Sequence, residues 1–217
     1  MSITVFLADD HAVVRDGLRL LLKGAGDIRV VGEAANGRDT VQQVAQLCPN
    51  VVVMDLAMPE LNGFEATQQI RQVCPSARVI VLSMHSTAED IFRAMQAGAN
   101  GYVLKESAGA EVVNAVRAAH AGRCYLSQKA SDTLLEYLML QRESPQTKSP
   151  IERLSPRERE VLQLLVEGKS RAEIAQILFL SPRTVDTYRE RLMRKLGLSD
   201  SPSLIKFAVR HGLTPLE

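Results

Sequence analysis

The chain has 217 residues, 46% hydrophobic and 24% charged, which is enough to bury two ordinary cores and too apolar for a disordered polymer. Its net charge of +1 is uneven: residues 1–122 carry 10 Lys/Arg against 13 Asp/Glu, and residues 151–217 carry 12 against 9, so an acidic first half and a basic last third suit different partners. No apolar run reaches the length of a membrane span, and Met1–Asp10 lacks the basic start of a secretory signal, so a cytoplasmic chain with no membrane partner is expected.

From Ile3 to Leu104 short Val/Ile-rich runs alternate with longer amphipathic ones. The short runs, Ile3–Ala8, Arg29–Ala34, Val51–Asp55, Arg78–Ser83 and Gly101–Leu104, predict strands. The intervening Ala12–Lys23, Arg38–Leu47, Phe64–Val73 and Thr87–Ala97, with a further stretch near Gly109–Ala119, predict helices, and Ser86-Thr87-Ala88-Glu89 reads as a capping box for the fourth. Strands apolar on both faces, each followed by a helix, imply a parallel sheet with right-handed crossovers. The expectation is an α/β, (βα)5 doubly wound domain over residues 1–121. Cys48, Cys74 and Cys124 are odd in number and far apart, and support neither a disulfide framework nor a structural zinc site.

Residues 122–150 predict a linker helix at Leu126–Leu140 and then a hinge, Gln141–Arg153, containing Pro145 and Pro150. Residues 151–217 predict an all-α domain of four helices: 156–167, 171–178, 182–196 and 202–211. Each start is signalled. Ser155-Pro156-Arg157-Glu158 and Ser170-Arg171-Ala172-Glu173 are capping boxes, and Ser181-Pro182 and Ser201-Pro202 each place a capping Ser before a first-turn Pro.

In the first half the polar residues collect at one place. Asp9 and Asp10 follow the first strand, Asp55 closes the third, Ser83 closes the fourth and Lys105 follows the fifth. All are carboxyl ends of strands, the edge where open α/β sheets bind ligands. Three neighbouring carboxylates need a cation among them, and oxygen ligands suit Mg2+. The set fits phosphoryl transfer onto a carboxylate: an Asp oxygen attacks, the metal and Lys105 offset charge on the phosphoryl oxygens, and Ser83 donates a hydrogen bond.

In the last third, residues 182–196 place Val185, Tyr188, Leu192 and Leu196 on one side and Arg183, Thr187, Glu190 and Arg194 on the other, with Arg191 and Asp186 at the borders. The helix before it is short, and only Phe179-Leu180-Ser181 separates the two. Such a pair has the form of a helix-turn-helix whose second helix enters the major groove. From charge alone, a small bundle with a solvated face remains the alternative.

Leu7-Ala8-Asp9-Asp10-His11, Val53-Met54-Asp55-Leu56-Ala57-Met58-Pro59, Glu60-Leu61-Asn62-Gly63-Phe64 and Gly101-Tyr102-Val103-Leu104-Lys105-Glu106 together resemble the receiver domain of two-component response regulators. The resemblance implies that Asp55 is the phosphorylation site, that Asp10 binds Mg2+ directly and Asp9 through water, and that the Ala57 carbonyl is a further ligand. It also implies that Lys105 contacts the phosphoryl group and that Ser83 and Tyr102 form a switch. His11 reads as an exposed helix-start residue. Leu154–Leu162, Glu173-Ile174-Ala175, Ser181-Pro182-Arg183-Thr184-Val185 and Arg194-Lys195-Leu196 resemble a LuxR-type DNA-binding domain, and the two together resemble the NarL/FixJ type. Here the sequence departs from its relatives, which commonly carry Lys and His where this chain has Asp186 and Tyr188, and often Lys in place of Glu190.

The expected function is that of a DNA-binding transcriptional response regulator rather than an enzyme. Its partners are a histidine kinase and double-stranded promoter DNA. Phosphorylation is expected to drive formation of a homodimer and release of the recognition helix. Thr187 and Glu190 are expected to read bases, with Arg183, Arg191, Arg194 and Lys195 on phosphates and Thr184 beside them. A phosphohydrolase, the competing enzyme class, would need a second acid near its nucleophile, and Leu56-Ala57-Met58 offers none.

Overall fold

The computed structural model describes residues 2–141 and 150–210, in two compact units, Met1–Pro145 and Gln146–Glu217. In the first, β1 (Ile3–Ala8), α1 (Ala12–Gly24), β2 (Ile28–Ala34), α2 (Gly37–Leu47), β3 (Val51–Asp55), α3 (Gly63–Val73), β4 (Arg78–Ser83), α4 (Ala88–Ala97), β5 (Gly101–Leu104) and α5 (Ala108–His120) alternate as the sequence predicts. The sheet is parallel, in the order β2-β1-β3-β4-β5-β6. Val5, Leu7, Val53 and Leu82 pack with Leu22 of α1 and Val112 and Val116 of α5. Phe6, Val52 and Met54 pack with Val44 of α2 and Ile70 of α3. Burial on both faces explains why these strands lack polar alternation.

The sixth strand, β6 (Tyr125–Leu126), is not expected from the sequence. It pairs with β5 and leads into α6 (Gln128–Gln141), the anticipated linker helix, which lies within the first compact unit. Ala130 of α6 is fully buried in a cluster with Tyr102, Ile91 and Ala94. The composition shift after residue 121 therefore marks a change of sequence character inside one packed body. Most of the expected hinge, residues 142–149, lies outside the described residues. Its end, Pro150–Arg153, is a 3-10 turn whose Ile151 is buried in the second core.

The cysteine reading requires correction. Cys48 and Cys74 form a disulfide with a Cα–Cα distance of 5.9 Å. They stand 26 residues apart in sequence, but they cap the C-termini of α2 and α3, adjacent helices on one face of the sheet. Cys124 is free and exposed. A second correction concerns α4: its cap is Thr87, which accepts from the Asp90 amide, so the box centred on Ser86 does not form.

The second unit holds α7 (Pro156–Val166), α8 (Arg171–Ile177), α9 (Pro182–Leu196) and α10 (Ser201–Arg210) around Leu162, Ile174, Val185, Leu192 and Leu204. Both predicted capping boxes form, at Ser155/Glu158 and Ser170/Glu173, and Ser181 caps α9 through the Thr184 amide. At α10 the cap is Asp200, whose carboxylate accepts from the Ser203 amide at 2.7 Å, and Ser201 is already helical.

Candidate phosphoacceptor pocket and nucleic-acid interface

The carboxyl ends of β1, β3, β4 and β5 bring Asp9, Asp10, Asp55, Ser83 and Lys105 together as expected. Asp9 is 2% exposed and Asp55 3%. The Lys105 ammonium lies between them, 2.8 Å from Asp9 Oδ2 and 2.7 Å from Asp55 Oδ2. Burial pushes the Asp55 carboxyl up to about 6, with the Asp9 charge adding to it and Lys105 opposing it. Burial lowers the pKa of Lys105, but Asp55 and Asp9 more than offset that and raise it above its ordinary value. Two acids therefore share one counter-charge in a dry place, and a further positive charge would be stabilised there.

Ligand atoms of Asp9, Asp10, His11 and Asp55 all lie within 4.8 Å of one another. Asp9 Oδ2 and Asp10 Oδ1 are buried oxygens without a well-aligned hydrogen bond. The first lies at ion-pair distance from the Lys105 ammonium, and the second is 2.7 Å from the His11 Nδ1. Buried oxygens with unused lone pairs, set among three carboxylates, fit a hard divalent cation.

Local packing fixes the pocket floor. Asn62 caps α3 by accepting from the Phe64 and Glu65 amides, and Gly63 donates to the Leu56 carbonyl. A Cβ on Gly63 would stand 2.1 Å from the Asp55 carbonyl oxygen, so only glycine lets the chain return this close to Asp55. The Ala57 amide lies 3.5 Å from Asp55 Oδ1.

Ser83 and Tyr102 are both fully buried. They are joined by a group with no signal in the sequence, the backbone of His85. Its amide donates to Ser83 Oγ at 3.0 Å, and its carbonyl accepts from the Tyr102 hydroxyl at 2.8 Å. One residue's backbone thus bonds to both hydroxyls.

On α9, Val185 and Leu192 are buried while Arg183, Thr187, Glu190, Arg191 and Arg194 are exposed and Thr184 is half-buried. Thr187 spends its hydroxyl on the Arg183 carbonyl at 3.0 Å. Asp186 is paired with Arg171 of α8 at 2.9 Å, so its charge is compensated within the helix pair. Lys195, expected on DNA, is held by the buried Glu158 at 2.6 Å. The turn before α9 carries Phe179 at φ 54, with 93% of its surface exposed.

The comparisons agree with this geometry. Residues 5–117 match the response regulator receiver domain, and residues 152–208 match the luxR family of bacterial regulatory proteins. The response regulator UvrY of Escherichia coli K12 is 39% identical over 215 residues, covering 99% of this chain and 97% of UvrY. The oxygen regulatory protein NreC of Staphylococcus carnosus is 35% identical over 212 residues, covering 96% and 98%. Among solved structures, a LuxR-family regulator from Aurantimonas superposes with a TM-score of 0.62 at 37% identity, covering 64% of this chain and 99% of that one. The RcsB–DNA complex superposes with a TM-score of 0.59 at 28% identity, covering 95% and 98%. With an acidic pocket in a doubly wound unit, a helix-turn-helix in the next, and relatives matched along nearly their full length, this chain belongs to the DNA-binding response regulators of the NarL/FixJ type.

Proposed function

We propose that this chain is switched by phosphorylation of Asp55 by a partner histidine kinase. In this reading residues 1–121 form the receiver, residues 122–150 the connection and residues 151–217 the promoter-binding domain. The observation that carries it is the pair of buried carboxylates, Asp9 and Asp55, bridged by one ammonium. An Asp55 carboxylate oxygen attacks the phosphorus of the donor phosphohistidine, the P–N bond breaks, and the imidazole leaves on the kinase. Lys105, already 2.7 Å from Asp55 Oδ2, turns to an oxygen of the transferred group, and the Ser83 hydroxyl donates to another. Asp9, Asp10, Asp55 and the Ala57 carbonyl would hold Mg2+, which offsets negative charge as the phosphoryl group arrives.

The second unit would read double-stranded promoter DNA with α9: Thr187 and Glu190 toward bases, Thr184 at the helix start, and Arg183, Arg191 and Arg194 toward phosphates. Lys195 serves that surface by fixing α9 to α7 through Glu158. Phosphorylation favours a homodimer, which matches paired half-sites, and frees the recognition helix for them; a regulator acting on promoter DNA works in the cytoplasm. The test uses acetyl phosphate with Mg2+ as donor. Wild type should gain an acyl phosphate, increase in mass by light scattering and bind promoter DNA more tightly, while Asp55→Asn should do none of these. Equal DNA affinity with and without the phosphoryl group would overturn the reading.

A further inference from the structure

The Cys48–Cys74 link closes a covalent ring that contains β3 with Asp55, the 56–62 loop and α3. The two cysteines differ in access: Cys48 is exposed, whereas Cys74 is 1% exposed. Cys48 ends α2 in the left-handed conformation, at φ 42, a position that favours glycine or asparagine and is strained for cysteine. The Ser76 hydroxyl stands 3.7 Å from Cys48 Sγ and 3.5 Å from Cys74 Sγ. Helix C-termini disfavour a thiolate, and this hydroxyl is a nearby donor that would compensate one.

The ring also bears on the pocket. Cys74 is buried in the same cluster as Met58 and Leu61 of the 56–62 loop, together with Val44 of α2 and Ile70 of α3. At the other end of α2, a Cβ on Gly37 would stand 1.9 Å from the Leu61 carbonyl oxygen, so the helix start lies directly against that loop. The Gly63 amide in turn donates to the Leu56 carbonyl at 3.0 Å. α2 therefore touches the loop at its start and is bonded to the end of α3 at its finish. With both ends of the helix pair fixed, the loop has fewer arrangements open to it, and that restriction is lost once the sulfurs part. In the proposed function the chain works in the cytoplasm, where thiols keep the medium reducing and a disulfide is usually transient and redox-sensing.

We propose that Cys48 and Cys74 are a thiol–disulfide exchange site for low-molecular-weight disulfides, and that the oxidised pair speeds phosphoryl transfer to Asp55 by holding the 56–62 loop in accepting geometry. Cys48, as thiolate, attacks one sulfur of the small disulfide and expels a first thiolate. Cys74 then attacks the Cys48 sulfur of the mixed disulfide and expels the second. Two electrons pass from the pair to the small disulfide, and the two protons end on the thiols released. In reverse, a small thiolate attacks the Cys48 sulfur and Cys74 leaves beside the Ser76 hydroxyl. The exchange chemistry stands by itself, and its effect on uptake rests on the phosphoacceptor reading above.

The experiment uses the full chain as Cys124→Ser, which removes the exposed free thiol, equilibrated with reduced and oxidised glutathione at graded ratios. Alkylation and intact mass give the fraction of open pair, and acetyl phosphate with Mg2+ gives the rate of phosphoryl uptake. The pair should pass from open to closed across the series, with uptake on the order of fivefold faster when closed. Reoxidising a reduced sample should restore the fast rate, which separates a switch from loss of fold; a rate that stays low overturns the switch. Cys48→Ala should keep the slow rate at every ratio, and a rate that still follows the ratio there overturns the proposal. A pair that stays in one state throughout overturns the exchange site. Full exchange with an unchanged rate overturns its link to the pocket. No uptake in either state overturns the phosphoacceptor reading and that link with it, while the titration alone decides the exchange site.

Discussion

The pocket of the first unit and the outer face of α9 organise charge in opposite ways. In the pocket Asp9 and Asp55 are buried and both lie at ion-pair distance from the half-buried Lys105, so burial and neighbours set their chemistry before any ligand arrives. On α9 Arg183, Glu190, Arg191 and Arg194 are exposed, and among the described residues their side chains make no hydrogen bond or ion pair. The pocket holds its charged groups against one another, whereas the helix face leaves its groups exposed to solvent.

The largest expected effect breaks the pocket side outright. Asp55→Asn removes the nucleophile and should abolish phosphoryl uptake from acetyl phosphate, measured by intact mass, while leaving basal DNA binding in place. Next comes the Cys48–Cys74 link, which pins the first unit and has no counterpart among the described residues of the second. Closing a loop of 26 residues is worth about 3–4 kcal/mol in the chain-entropy picture. Cys48→Ser, or reduction of wild type, should lower the urea midpoint of the first unit and leave that of the second unchanged.

A smaller effect follows from the Asp55 pKa of about 6, raised from 3.8 by burial first and then by Asp9. A raised acid costs stability once it ionises. The cost is absent below about pH 4, grows as pH rises toward 6 and is constant above. Without divalent metal, Asp55→Asn should therefore be more stable than wild type at pH 7.5 by up to about 3 kcal/mol, and the gap should close as pH falls to 4. Added Mg2+ should narrow it as well. The smallest effects belong to α9. Arg194→Ala should weaken binding evenly across DNA sequences and reduce the salt slope by about one. Glu190→Ala should change the preferred base at one position by about 1–3 kcal/mol. Lys195→Ala is expected to act differently from both, lowering the stability of the second unit through Glu158 more than it alters the salt slope.

What the sequence revealed follows the range of the forces involved. Four of the first five strands begin and end where predicted, because burial on both faces leaves continuous Val/Ile runs bounded by polar residues. The pocket was legible for the related reason that its residues sit at the ends of those runs. Long-range pairings were not. β6 is two residues long and exists only because the edge of β5 receives it. Cys48 and Cys74 meet because two helices end side by side, and Glu158 and Lys195 because α7 and α9 cross. The Ser83–His85–Tyr102 link was half visible: both side chains could be picked out, but the peptide joining them carries no sequence signal. At α4 and α10 adjacent residues compete for the cap, and the choice between Ser86 and Thr87, or between Asp200 and Ser201, depends on backbone direction rather than composition.

The return of the chain at Gly63 has a practical use. With the Asp55 carbonyl 2.1 Å from where a Cβ would stand, any other residue there displaces the acceptor while leaving every ionisable group of the pocket untouched. Gly63→Val would thus be a silencing mutation that retains the acid and its partners, a control that charge-altering substitutions cannot offer to anyone separating the shape of the site from its electrostatics.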